Sequence, residues 1–166
     1  SPVDVISAED YKKLRVSTII EASQYLSVTA GSHFQTNALD GVDQGMATIT
    51  LRGLDHASTL VLINKKRQTY AGTPSDEGEG YIDVNIVPEI ALDRIEILKD
   101  GATSLYGSDA VAGVINFQTL QEFDGLRISI SSQKTSNYPQ RDNSISALFG
   151  GSLFEGNFVL ALSNLN

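Results

Sequence analysis

The sequence predicts an α+β fold: a small mixed sheet with short helices, followed by a run of antiparallel strands. Segments of strand length alternate with short helical signals through roughly residue 119. The segment TLVLIN at 59–64 is apolar on both faces, as a central strand must be. Beyond residue 120 three extended segments follow one another with no helical pattern between them.

Each element has its own signal. Ser7 with Glu9 and Asp10 reads as a capping box, a hydroxyl placed for an orphan backbone N–H and acids in the first turn, opening a helix through about Leu14. Ser17 caps a second predicted helix whose apolar face is approximated by Ile19, Ile20, Ala22 and Leu26. Residues 30–45 are rich in Gly, Ser, Asn, Asp and Gln and predict a long exposed loop. In residues 47–53, Ile49 and Leu51 alternate with Thr48, Thr50 and Arg52, which predicts a strand. A second polar loop spans 68–80, and Pro88 opens a short helix to Leu92. Residues 94–98 alternate as a strand, 102–106 form a helical turn bracketed by Gly101 and Gly107, and 113–119 form another strand. The tail is predicted as strands at 126–132, 144–149 and 157–162, joined by one polar connection containing Pro139 and one tight turn at 154–157.

Composition narrows the function. The 166 residues, 41% hydrophobic, suit one globular domain and part of a second. Twelve basic against twenty acidic residues leave a net charge of −8, and no basic run interleaves with aromatics, which argues against nucleic acid. No apolar run reaches the roughly 18–20 residues of a membrane-spanning helix, and the first residues lack the pattern of a secretory signal. The chain is then soluble, or part of a protein whose membrane contact is not helical. With no Cys there is no disulfide, thiolate metal site or Cys nucleophile. Two His, His33 and His56, supply almost no material for a metal cluster or catalytic triad, and no G-x-S-x-G elbow appears. Asp76, Glu77 and Glu79 lack the spacing of a calcium loop. The expectation is a protein that is not an enzyme and holds no cofactor and no metal.

Several motifs, PVDVISAED at 2–10, ITLRGLD at 49–55, TLVLINKKR at 59–67 and LDRIEILKDGATSLYGSDAVAGVINFQT at 92–119, resemble in order the plug domain of TonB-dependent outer-membrane receptors. The resemblance implies a plug over residues 1–120, lodged inside a transmembrane β-barrel of about 22 strands, with residues 121–166 as the first three strands of that barrel. An open three-stranded sheet cannot span a membrane, since only closure satisfies every backbone group, so the resemblance implies a larger receptor of which this chain is a part. It also implies a signal peptide and a TonB-pairing segment upstream of the plug, neither visible in this sequence. The family's Asp-Gly turn is replaced here by Asn64-Lys65. Lys tolerates a left-handed backbone poorly, which weighs against a tight type I′ turn at that point.

The resemblance further implies that Arg52 and Arg94 meet glutamates of the inner barrel wall in an ionic lock, a bidentate geometry whose loss strands a buried charge. The alternative is that each lies on a solvated strand face. Glu96, on the same strand face as Arg94, is placed to hold a plug arginine locally. Ligand contacts in the family come from plug loops, here residues 32–45, 54–58 and 68–81, which contain His33, Phe34, His56, Tyr70 and Tyr81; surface Tyr and His in loops are often unremarkable. The implied function is gated import at the Gram-negative outer membrane, with TonB, the protein's own barrel and a small-molecule nutrient (siderophore, cobalamin, haem or carbohydrate) as partners. The competing reading is a soluble periplasmic binding or interaction module with a plug-like fold.

Overall fold

The computed structural model describes residues 3–13, 34–35, 46–54, 58–72, 78, 80–99, 102–134, 141–154 and 156–165. In chain order the elements are β1 (Val3–Ser7), α1 (Ala8–Lys13), β2 (Phe34–Gln35), β3 (Met46–Ala47), β4 (Thr59–Ile63), β5 (Lys66–Arg67), β6 (Leu92–Leu98), α2 (Thr103–Tyr106), β7 (Gly113–Thr119), β8 (Gly125–Lys134), β9 (Arg141–Leu153) and β10 (Gly156–Leu165). They fall into two units: Ser1–Ile86 with Asp93–Gln118, and Val87–Leu92 with Thr119–Asn166. The architecture is α+β, a mixed sheet with few short helices in the first unit and an antiparallel sheet in the second.

In the first unit the sheet order is β1-β6-β7-β4-β5. β4 runs parallel to β7, with Thr59 opposite Gly113 and Ile63 opposite Phe117, while β1 pairs antiparallel with β6. Side chains alternate between faces along a strand. One face of β4 and β7 therefore carries Leu60, Leu62 and Val114, which form an apolar cluster with Ala102 and Ala110 against Leu98 and Tyr106. The opposite face carries the buried Val61, Ile115 and Phe117. Burial on both faces explains why TLVLIN and GVINFQT contain so little polar alternation.

The capping box at the end of β1 forms. Ser7 Oγ accepts from the Asp10 backbone N–H at 3.2 Å and donates to the Asp10 carboxylate at 2.7 Å, satisfying an orphan donor of the first helical turn. The second predicted helix, 17–26, lies outside the described residues.

Two expectations are corrected. Residues 47–53 do not make a strand: only Met46–Ala47 pairs, with Phe34–Gln35 of the predicted loop. Residues 47–51 are buried throughout, both the threonines and the apolar side chains, so the alternation marks no solvated face. The Leu51 N–H donates to Thr59 Oγ1 at 3.0 Å, and the chain turns at Arg52 and Gly53, both left-handed with φ of 60° and 66°. The second correction concerns Asn64 and Lys65, whose φ values of 51° and 64° link Ile63 to its partner Lys66. Positive φ at both central residues of a two-residue hairpin is the type I′ geometry. Both turn N–H groups are captured by β7: Asn64 donates to the Phe117 carbonyl and Lys65 to Asn116 Oδ1, each at 2.9 Å. Tertiary hydrogen bonds thus offset the cost of a left-handed Lys.

In the second unit β9 pairs with β8 on one side and β10 on the other, antiparallel throughout. The 3-10 turn Glu89–Ala91 packs on β9 and β10, and the Ala91 carbonyl accepts from the Leu120 N–H at 2.8 Å. The link before β8 lies against β9 at Gly150. A Cβ there would meet the Phe123 carbonyl oxygen at 2.5 Å and that of Phe158 at 2.9 Å, so only glycine admits this close approach.

Gly113, at the start of β7, has φ of 137°, and a Cβ would lie 2.6 Å from the Leu98 carbonyl oxygen and 2.7 Å from Leu51 Cδ1. Gly113→Ala is expected to destabilise by about 2–4 kcal/mol through strain and backbone clash combined. Gly72→Ala, with nothing within 4 Å of the added Cβ, is expected to stay within about 0.5 kcal/mol of wild type. Denaturant unfolding of the two variants side by side checks this; equal losses would remove the steric account.

Candidate functional site

The sheet face that is apolar around Leu60 and Leu62 turns polar further along β6 and β7. Arg94 and Glu96 stand two residues apart on β6, so both project to that face, and Asn116 and Gln118 project from β7. Arg94 Nε donates to Glu96 Oε1 at 2.9 Å and its NH1 group to Asp93 Oδ2 at 2.6 Å. Asn116 Nδ2 donates to Glu96 Oε2 at 2.8 Å, and Gln118 adds a further hydrogen bond to Glu96. The sequence-predicted pair of Arg94 and Glu96 is therefore brought together within the plug itself.

The electrostatics follow from these donors. Burial alone pushes the Glu96 carboxyl up, but the Asn116 amide and the Arg94 guanidinium bring it below its ordinary value. The hydrogen bonds to Glu96 and then Asp93 hold Arg94 more firmly protonated than usual. The cluster is thus one guanidinium held between two carboxylates on a partly exposed surface.

Arg52 is placed differently. It sits on the turn after residue 51, and its guanidinium donates to the Lys99 carbonyl at 2.5 Å; Lys99 in turn pairs with Asp4 of β1.

Of the loop residues, His33 and His56 lie outside the described residues, and for Phe34 only the backbone pairing with Ala47 is described. Tyr70 is 60% exposed whereas Tyr81 is 8% exposed, so Tyr70 presents to solvent and Tyr81 is part of the core. The Ala71 N–H donates to the Tyr81 carbonyl at 2.8 Å, closing the loop between them, and the Tyr70 ring lies against Gly80. A cavity of about 60 Å³ opens beside them, with Thr59, Arg67, Gln68, Tyr70, Tyr81 and Asp109 in its lining. Arg67 bridges to Asp109 at 2.6 Å and to the Tyr106 carbonyl.

Sequence reasoning missed Asn116, Arg67 and Asp109. Asn116 carried a signal: a polar residue inside a strand apolar on both faces must find partners. Arg67 carried none, because a basic residue at a strand edge is ordinary.

Comparison with known proteins supplies the class. The model of the TonB-dependent receptor plug domain family matches residues 1–114. The chain is 33% identical over 124 residues to the iron-regulated outer membrane virulence protein of Vibrio cholerae, covering 72% of this chain and 17% of that protein. It is 30% identical over 137 residues to the ferric enterobactin receptor PirA of Pseudomonas aeruginosa, covering 78% and 18%. The crystal structure of the siderophore receptor PirA from Acinetobacter baumannii superposes with a TM-score of 0.70 at 27% identity, covering 98% of this chain and 24% of that one. This chain thus spans under a fifth of either sequence relative's length. Fold and match together define a receptor plug. The chain belongs to the TonB-dependent receptor plug domain family, whose place is the bacterial outer membrane. The relatives named are outer-membrane proteins and receptors, not enzymes.

A pH dependence follows from Glu96. Its folded pKa lies below the unfolded value, so its contribution to stability is complete above about 4.5, the ordinary value, and is lost as pH falls through the folded pKa. The stability difference between wild type and Glu96→Gln is expected to be largest above pH 4.5 and to shrink on acidification. Unfolding midpoints of both proteins from pH 7 to pH 3 check this; a gap that stays constant would show that Glu96 has no such linkage.

Proposed function

We propose that this chain is the gate of an outer-membrane import receptor: residues 1–120 form the plug, and residues 121–166 supply the first three strands of the barrel that surrounds it. The observation that carries the barrel reading is the sidedness of β8, β9 and β10. By register, Leu126 lies opposite Phe149 and Leu160, Ile128 opposite Ala147 and Leu162, and Ile130 opposite Ile145. Opposite residues share a face, and this face is apolar and exposed, with Ile130 at 76%. The other face carries Ser129, Ser146 and Ser163 in one cross-strand row, and Ser131 bonded to Ser144 at 2.6 Å in the next. Strands of 10 to 13 residues, with one face apolar and exposed and the other rich in hydroxyls around the buried Leu148, match the requirements of a membrane barrel. A water-soluble module would bury the Leu and Ile stripe instead, so the sheet disfavours that alternative.

In this reading a ligand binds on the plug loops beside Tyr70, and Arg94 with Glu96 fastens the plug to the barrel wall by charge-assisted hydrogen bonds that can be broken without unfolding the sheet. Arg52 is the second fastening residue. His33, Phe34 and His56 belong to the ligand-facing loops. TonB, engaging a segment upstream of β1, displaces the plug and opens the path. The named relatives favour a ferric siderophore as cargo, with cobalamin, haem and carbohydrate as the other classes. The chain's own task is binding and gating, with no catalytic step.

Two measurements test this. In the full-length receptor, Ile128→Arg is expected to cost about 2–4 kcal/mol of folding stability in lipid vesicles, because it places a charge on the lipid face, while Ser129→Arg on the lumenal face costs under about 1 kcal/mol. Equal effects would overturn the lipid-facing assignment. Uptake of labelled ferric siderophores and cobalamin by cells carrying the receptor is expected to require TonB; import at the same rate in a strain lacking TonB would overturn the gating mechanism.

A further inference from the structure

Asn116 lies in the middle of β7 and is 5% exposed. A buried amide needs partners for both its ends. Its oxygen accepts from the Lys65 backbone N–H at 2.9 Å, and its nitrogen donates to Glu96 Oε2 at 2.8 Å. The amide orientation is forced, since a backbone N–H only donates and an ionised carboxylate only accepts; a flipped amide would break both bonds.

The two partners belong to different devices. Lys65 is the left-handed residue of the β4–β5 turn, with φ of 64°, a conformation disfavoured for a residue with a Cβ. The strand that follows holds Arg67, which reaches Asp109 and Tyr106, and it continues into Gln68 and Tyr70 at the cavity. On the other side, Glu96 is bound to Arg94, and opposite it in the sheet stands Val5 of β1. One side chain therefore joins the charged cluster of β6 to the turn that sets the course of β5.

We propose that Asn116 is a positioning residue that makes the left-handed β4–β5 turn, and through it the course of β5 into the loop at Gln68, depend on the state of Glu96 and Arg94. A change at the charged cluster, such as a barrel carboxylate drawing Arg94 away from Glu96, releases Glu96 from its present geometry. Asn116 then loses its donor bond and no longer holds the Lys65 N–H, and the turn relaxes. The relay works equally in reverse, since coupling free energies are reciprocal. Its use in transport rests on the plug reading, whereas the hydrogen-bond coupling does not.

The experiment is hydrogen–deuterium exchange by mass spectrometry on the purified full-length receptor in detergent, following peptides over residues 62–68 and 92–98. Glu96→Ala removes a side chain whose hydrogen-bond partners are Arg94, Asn116 and Gln118, not the turn. It is expected to speed exchange of the 62–68 peptide about tenfold. Asn116→Asp is expected to do the same by setting two carboxylates against each other. The double substitution Glu96→Gln with Asn116→Asp exchanges donor for acceptor: the new amide at 96 donates to the new carboxylate at 116, whose other oxygen still accepts from Lys65. It is expected to return the turn to within about twofold of wild type, a rescue that mere filling of the core would not produce. Unchanged turn exchange in Glu96→Ala, or a double variant no better than Asn116→Asp alone, overturns the relay. Should Asn116→Asp fail to fold, the Glu96→Ala comparison decides by itself. None of these readouts requires ligand or TonB, so failure of the relay and failure of the transport reading are separately visible.

Discussion

The parallel pairing of β4 with β7 is the constraint on which the first unit depends. A parallel pair needs a crossover between its strands, and here the intervening chain supplies β5, β6 and α2, whose neighbourhood completes the apolar cluster around Leu60 and Leu62. The same pairing brings the end of β7 beside the β4–β5 turn, where the Phe117 carbonyl and the Asn116 side chain capture the two turn N–H groups. A left-handed Lys is tolerable only in that setting. The capture of the turn and the placement of Asn116 beside Lys65 both follow from that one strand register.

The two units resolve the same physical problem in opposite senses. In the mixed sheet the β4–β7 pair buries apolar residues on both faces, and Glu96 beside it is surrounded by donors. The antiparallel sheet exposes Leu126, Ile128, Ile130, Ile145, Phe149, Leu160 and Leu162 on one face and turns Ser129, Ser131, Ser144, Ser146 and Ser163 to the other, where Leu148 is buried. An exposed apolar face of this extent is unfavourable in water and favourable in hydrocarbon, which is why the sidedness of β8–β10 bears on function while the alternation of any one strand does not. On the opposite face hydroxyls hydrogen-bond each other across the strands, as Ser131 does with Ser144.

How much was legible in the chain depended on whether the signal was local. The capping box at Ser7 was readable because its partners are three residues apart, and so was the alternation of Leu126, Ile128 and Ile130. The pairing of Arg94 with Glu96 was readable from strand period alone. The reading of 47–53 as a strand failed because alternating Thr and Ile look half-solvated, whereas 47–51 are buried on every side and the chain then turns at two left-handed residues. Tyr81 was grouped with Tyr70 as a loop aromatic, yet packing buries it, and no local pattern separates the two.

The sequence by itself determined the family, the strands at 59–63, 92–98 and 113–119 and the alternation of the tail strands, because these rest on spacing and residue type within a few positions. Only the tertiary structure decided which polar groups meet. That Asn116 bridges Glu96 and Lys65, that Arg67 reaches Asp109, and that the N–H groups of the Asn64-Lys65 turn find acceptors are matters of packing between segments some 20 to 50 residues apart. A hydrogen bond requires two groups within about 3 Å, and local sequence carries no record of a distance set by the packing of remote strands.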